Sequence, residues 1–179
     1  MGEIVRLTLV AHALTDAMSA GRFPADEPLN ERGRLQLGDL SSRAGASLWC
    51  APELRARQTA EVLGPSVIVR ALADLDCGAW RGRTLDSMSP AELAVWSNDP
   101  HAAPHGGESL VALIQRVRTW LDDIAGRGGR HVAVTHPAVI RAAVLTALDA
   151  PASSFWRLDI APARPVTLHF RGRFWVLRS

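Results

Sequence analysis

The sequence predicts an α/β fold: a three-layer sandwich with a central, mostly parallel sheet flanked by helices. Three observations carry this expectation. Strand-like and helix-like segments alternate along the chain. Two apolar, β-branched runs, "EIVRLTLV" ahead of His12 and "HVAVT" ahead of His136, read as strands buried on both faces, which is how parallel strands look in sequence. Finally, 179 residues with 47% hydrophobic and 21% charged side chains suit one domain, residues 1–179, with a full core.

Taken in order, residues 4–10 form the first strand. "PLNERGRLQLGDLSSRAGA" (28–46) places Leu29, Leu37 and Leu40 near helical spacing and runs into Gly45. "SLWC" (47–50) is a short strand, followed by a helix from "PELRARQTAEVLG", with Pro52 suited to its first turn. "SVIVRAL" (66–72) is a third strand, and "DLDCGAWRGRTLDSMS" a stretch of turns. "PAELAVWSN" (90–98) is a short helix before the loop "DPHAAPHGGES". From Ser109 to Ile124 the chain is amphipathic, with Leu110, Leu113, Val117, Trp120, Leu121 and Ile124 on one face. "HVAVT" (131–135) precedes a helix over 137–148, with Pro137 at its start. The tail reads as two or three antiparallel strands with an "RGR" turn at 171–173. The segment from about 74 to 109 is expected to cover the site.

Composition narrows the functional classes. The net charge is +2, and all 20 basic residues are scattered arginines, too mild a balance for a nucleic-acid binder. Cys50 and Cys77 stand apart with no CxxC pair, which argues against a zinc site or a disulfide scaffold. No run reaches membrane-spanning length and no leader pattern opens the chain, so a cytoplasmic protein without a membrane partner is expected.

Open parallel sheets place ligands at the carboxyl ends of their strands. His12, the "CAPELRAR" segment and His136 all fall there. A neutral imidazole is a good nucleophile toward phosphorus, provided its second nitrogen is held so that one tautomer points at the substrate. Arg55 offers a planar fork for phosphoryl oxygens, and His136 stands at a helix N-terminus, where the dipole favours an anion. A carboxylic acid is then needed to protonate the leaving oxygen.

At this point the chain resembles the histidine phosphatase superfamily, the phosphoglycerate-mutase-like proteins. "VAHALT" matches strand-R-H-G-x-T/S, "DEPLNERG" matches D-x-P-L-T-x-x-G, and "CAPELRARQTA" matches S-x-x-x-R-A-x-Q-T-A. "LADLDCGAWRG", "PHGGES" and "VAVTHPAVIR" match three further motifs, in order, from about residue 4 to 145. The resemblance implies a metal-independent phosphoric monoester hydrolase with no cofactor, acting on a small phosphorylated substrate as a monomer or homodimer. It also implies roles: His12 is phosphorylated, Arg55 and His136 hold phosphate, Asp74 is the proton donor, and Glu108 and Ser109, whose motif leads the long helix toward the pocket, bind phosphate or substrate. Thr15 is a further candidate to bond the phosphate or only its own turn. His101 and His105 are expected in a solvated loop, and His131 and five of the tryptophans (80, 96, 120, 156 and 175) in structural roles.

The sequence departs from the family pattern where it matters. Ala11 stands in place of the arginine before the nucleophile, Ala13 in place of the next glycine, Met18 where the mutases often have Asn, and Pro137 after His136 in place of glycine. Losing one preorganised donor typically costs about 10²–10³ in rate. Arg22, Arg57, Arg81 and Arg141 are the candidates to fill the gap. The expectation is a phosphatase slowed by Ala11, with a degenerate member that binds a phosphorylated ligand or partner as the alternative. A mutase is the weaker reading, because the loops are too short to exclude water.

Overall fold

The computed structural model describes residues 4–41 and 45–178. Its centre is a six-stranded sheet in the order β3-β2-β4-β1-β5-β6, built from β1 (Val5–Ala11), β2 (Ser47–Cys50), β3 (Val67–Ile68), β4 (Arg130–Thr135), β5 (Pro165–Phe170) and β6 (Trp175–Arg178). The first four strands in that order are mutually parallel; β5 runs antiparallel to β1, and β6 antiparallel to β5. β1 and β4 are central, and both are buried almost throughout, which their apolar runs demand.

The helices are α1 (Asp16–Ser19), α2 (Glu31–Gln36), α3 (Leu54–Glu61), α4 (Pro90–Asn98), α5 (Leu110–Ala125) and α6 (Pro137–Ala147). In α5 the buried residues are the six at helical spacing, from Leu110 to Ile124. At about 1.5–3 kcal/mol for each fully buried Leu, Val or Ile, this stripe is a principal anchor of the layer that α5 forms with α6. Ser109 caps α5, its hydroxyl accepting from the Ala112 N–H. α4 carries a full capping box from Ser89 and Glu92, yet none of its residues is fully buried.

Three expected elements are shorter than the sequence suggested. The helix read over 28–46 is regular only over Glu31–Gln36, continues as one 3-10 turn at Leu37–Asp39, and is left at Leu40, whose backbone is extended; residues 42–44 lie outside the described residues. Gly38 inside it and Ser41 just after it are poor helix formers, and Leu37 and Leu40 pack on a small satellite cluster with Ala13, Leu29 and Ala163. The third strand keeps only Val67 and Ile68 in the sheet; Arg70–Leu72 turn as 3-10 helix, which buries Leu72 fully. α3 begins at Leu54, with Glu53 as N-cap and Pro52 outside it. In the tail, two strands form, and the third strand-like stretch is a 3-10 segment at Ala152–Arg157.

α2 sits hard against the loop after β1. A Cβ on Gly33 would run into the backbone of Leu14, whose carbonyl accepts from the Asn30 N–H and whose N–H donates to Gln36 Oε1. Only glycine permits that approach. The contact holds residues 12–14 against the sheet edge where the candidate nucleophile stands.

Candidate active site

Sheet register brings the two histidines together. Ala11 pairs with Thr135 across parallel strands, so His12 and His136 are the first residues beyond two neighbouring carboxyl ends. The His12 N–H still donates to the Thr135 carbonyl at 2.9 Å, and the two rings meet edge to face at 5.1 Å between centroids. Both are buried. Pro137 opens α6 with His136 as its N-cap residue.

His12 is held as one neutral tautomer. Its Nδ1 lies 2.8 Å from the Ala13 carbonyl, which can only accept, so Nδ1 carries the proton. Nε2 then carries the unprotonated lone pair, which accepts from Arg55 Nε at 3.3 Å. Burial, then the neighbouring His136 and Arg55, push the His12 pKa down to about 3. Arg55, 1% exposed, reaches in from the first turn of α3 and grips Asp74 Oδ2 with its NH2 at 2.6 Å. Its NH1 is buried without a hydrogen-bond partner among the described residues. The other side of Asp74 Oδ2 faces His136 Nδ1 at 3.3 Å. Burial pushes the Asp74 carboxyl up, but attraction from His136, Arg55 and His12 outweighs it and holds the group below its ordinary range.

Glu53, which the sequence reading did not single out, completes the network. One carboxylate oxygen accepts from His136 Nε2 at 2.8 Å and the other from the Asp74 N–H at 3.0 Å. Burial raises its pKa, yet the bond from His136 and the charge of that ring bring it below the usual value. Its only sequence signal is its place two residues before Arg55, at the N-cap of α3.

These shifts share one sign. A histidine whose folded pKa is depressed takes its proton in the unfolded chain first, so its contribution to stability is complete above the unfolded value, about 6.5, and is lost as pH falls toward 3. Asp74 and Glu53, depressed carboxylates, contribute above their unfolded values and lose that contribution on further acidification. The expected outcome is flat His12 ring resonances between pH 5 and 8 by NMR, with a melting temperature that falls as pH drops below 6. A His12 titration midpoint near 6.5 would contradict the buried, Arg55-capped ring.

Three candidate residues are placed elsewhere. The Thr15 side chain, fully buried, accepts from the Met18 N–H and caps α1. The Ser109 hydroxyl caps α5. Glu108 forms a two-point ion pair with Arg116, at 2.9 and 2.7 Å. Arg116 NH1 in turn donates to the carbonyls of Ala71 and Ala73, so this pair steadies the backbone carrying Asp74 rather than lining the site. His105, expected in a solvated loop, is 3% exposed: Nδ1 accepts from the Gly107 N–H and the ring packs edge-on against Trp80. His131 is structural as expected, stacked on Trp49 at 4.5 Å, and Asp76 caps its own turn through the Gly78 N–H.

A groove of about 180 Å³ opens on His12 and Asp74. Of the four arginines considered as replacements for the one absent at position 11, Arg141 alone lines it. Arg81 lines a neighbouring depression with Arg55, Glu53 and Asp74. Arg57 is exposed, and Arg22 is exposed on a backbone bridge to Thr84. Arg141 is held by its Nε, which donates to the Leu158 carbonyl at 2.8 Å, and by Phe155 and Trp156, each 5.7 Å from the guanidinium. Its terminal nitrogens make no hydrogen bond or ion pair among the described residues. Ala11 itself is fully buried in the apolar core.

Comparison with known proteins places the chain among phosphatases. The family model of the histidine phosphatase superfamily (branch 1) matches residues 7–179. The chain is 27% identical to phosphoserine phosphatase 1 of Hydrogenobacter thermophilus over 187 aligned positions, covering 95% of this chain and 89% of that one. It is 31% identical to a bifunctional protein of Mycobacterium tuberculosis over 176 positions, covering 89% of this chain but only 48% of that longer one. Among solved structures, a mycobacterial glucosyl-3-phosphoglycerate phosphatase superimposes with a TM-score of 0.84 at 25% identity, covering 97% of each chain. The α-ribazole phosphatase of Shigella flexneri gives 0.84 at 25% identity, covering 97% and 94%.

Proposed function

The chain belongs to the histidine phosphatase superfamily, and on that premise we propose that it hydrolyses a small phosphate monoester through a phosphohistidine on His12. The observation that carries this reading is the state of His12: a neutral ring, one tautomer, with Nε2 unprotonated at the groove. A buried structural histidine has no need of an unprotonated nitrogen capped by one arginine, in a groove that a second arginine and a carboxylate also line.

In the free protein Asp74 occupies Arg55, and an ionised carboxylate cannot donate a proton. A phosphoryl group entering the groove competes for the same partners, Arg55 and His136, and displaces Asp74 from them. Once released beside a second anion, the Asp74 carboxyl loses the attraction that depressed it and takes up a proton. His12 Nε2 then bonds to phosphorus while the ester P–O bond breaks, and its electron pair leaves on the alcohol oxygen, which receives the Asp74 proton. In the second step Asp74 accepts a proton from water, the water oxygen bonds to phosphorus, and the Nε2–P bond breaks. The sum is ester plus water to alcohol plus phosphate. Arg55 and His136 hold the phosphoryl oxygens, and Arg141 supplies from α6 the positive charge that Ala11 lacks.

The test is to mix purified protein with p-nitrophenyl phosphate in the presence of a chelator, quench in base, and map phosphorylation by peptide mass spectrometry. A base-stable, acid-labile phosphate on the peptide containing His12, with nitrophenol released, is the expected result. Phosphate binding without nitrophenol release or adduct would favour the degenerate, ligand-binding reading instead.

A further inference from the structure

The groove that opens on His12 is unusual in what it lacks. Its polar side chains are His12, Asp74 and Arg141, and the proposed reaction occupies all three. The remaining walls are apolar, among them Met18, Phe23, Leu75, Trp96 and Pro137. Cys77 also lines it, and burial, followed by Asp74 and Asp76, pushes its thiol up to about 12, so it presents a neutral S–H. Beyond that S–H, no polar side chain of this groove is left to pair the amino group, carboxylate or hydroxyls of a hydrophilic leaving group; Asp26, Asp76 and Arg81 line the neighbouring depression instead.

The apolar wall belongs to an aromatic cluster. Trp96 comes from α4, and its ring stands against Phe23 at 5.4 Å, Trp80 at 5.9 Å and Trp156 at 4.5 Å. Trp80 is buried in the core and Trp156 is 38% exposed, so the aromatic chain runs from the interior to the surface, and of its members Phe23 and Trp96 line the groove. Since α4 buries no residue completely, Trp96 together with the partly buried Leu93 is what fastens it. The expectation that Trp96 is only a packing residue is therefore incomplete, because the same ring packs and faces the groove.

From this the geometry points to a substrate class: a phosphate monoester whose alcohol carries a planar, apolar group, seated against Trp96, Phe23 and Met18 while the phosphoryl end meets His12. This rests on the phosphatase reading and narrows it. Polar groups entering such a site lose water without gaining partners, and flat rings pack well on aromatic walls.

The test compares 2-phenylethyl phosphate with ethyl phosphate, whose leaving alcohols have similar intrinsic reactivity, and with O-phosphoserine, whose ammonium-bearing alcohol is the better leaving group and so sets the stricter comparison. In a hydrophobic pocket one methylene alone commands about tenfold or more. The expected result is a kcat/KM for 2-phenylethyl phosphate at least about tenfold above both others, with the ratio shrinking severalfold in Trp96→Ala and in the surface variant Met18→Ser. Titration of tryptophan fluorescence with 2-phenylethylphosphonate and ethylphosphonate reads the same preference without turnover. Comparable or better hydrolysis of phosphoserine overturns the substrate class and leaves the phosphatase standing. Phosphonate discrimination without hydrolysis of any ester overturns the phosphatase and keeps the groove as the recognition site. Equal binding of the two phosphonates overturns the groove assignment.

Discussion

His12→Ala is expected to lower turnover of any phosphate monoester that the parent hydrolyses by about 10⁴-fold or more, close to background. Removing an attacking atom eliminates the covalent route outright, and what survives is the binding and electrostatic remainder of the site. The fold should tolerate the change at neutral pH. The lost ring leaves the Ala13 carbonyl and Arg55 Nε without a partner, a penalty of about 1–3 kcal/mol. Two measurements separate chemistry from folding: hydrolysis under chelation, and a thermal melt of the same sample. A folded His12→Ala protein that retains a tenth of parental activity would sink the phosphohistidine route.

The second large effect belongs to Arg55. Replacing it with methionine keeps much of the side-chain volume but leaves the buried Asp74 carboxylate without its 2.6 Å partner. Breaking one side of such a buried pair typically costs about 3–5 kcal/mol, because the remaining charge stays desolvated. The same change removes a donor to the phosphoryl oxygens, worth about 10²–10³ in rate. Stability and activity should then part company in the double variant Arg55→Met/Asp74→Asn. Neutralising the orphaned carboxylate recovers much of the lost stability in a denaturant melt, while activity falls further. An Arg55→Met protein as stable as the parent would show that the pair is not formed in solution.

The site's skeleton was legible in the sequence because it follows from chain direction and sheet order. Apolar β-branched runs announce buried parallel strands, parallel strands expose their carboxyl ends at one edge, and the residues just past β1 and β4 are His12 and His136. Arg55 follows β2 by the same logic. The α5 stripe was legible for a related reason: burial on one face of a regular helix imposes a period. Where regularity stops, so did the reading. Val69 and Arg70 look like continuing strand, yet the chain turns there to bury Leu72 and present Asp74. Thr15, Ser109 and Glu108 have the chemistry of ligand-binding groups, but a hydroxyl that could meet phosphate can equally cap a helix, and a carboxylate can equally hold an arginine.

By itself, then, the sequence determined the α/β class, the parallel centre of the sheet, the histidine phosphatase family and the trio His12, Arg55 and His136. Each of these is encoded by periodicity, by order along the chain or by a local motif. Only the tertiary structure decided that Glu53 braces His136, that Asp74 rests on Arg55 rather than standing free, that Arg141 is the arginine sharing the groove with His12, and that Trp96 walls it. The physical reason is separation. These are side-chain meetings between elements 19 to 83 residues apart for the two bonded pairs, Arg55 with Asp74 and Glu53 with His136. Contacts of that kind depend on where whole elements come to rest, and they leave no spacing behind in the chain.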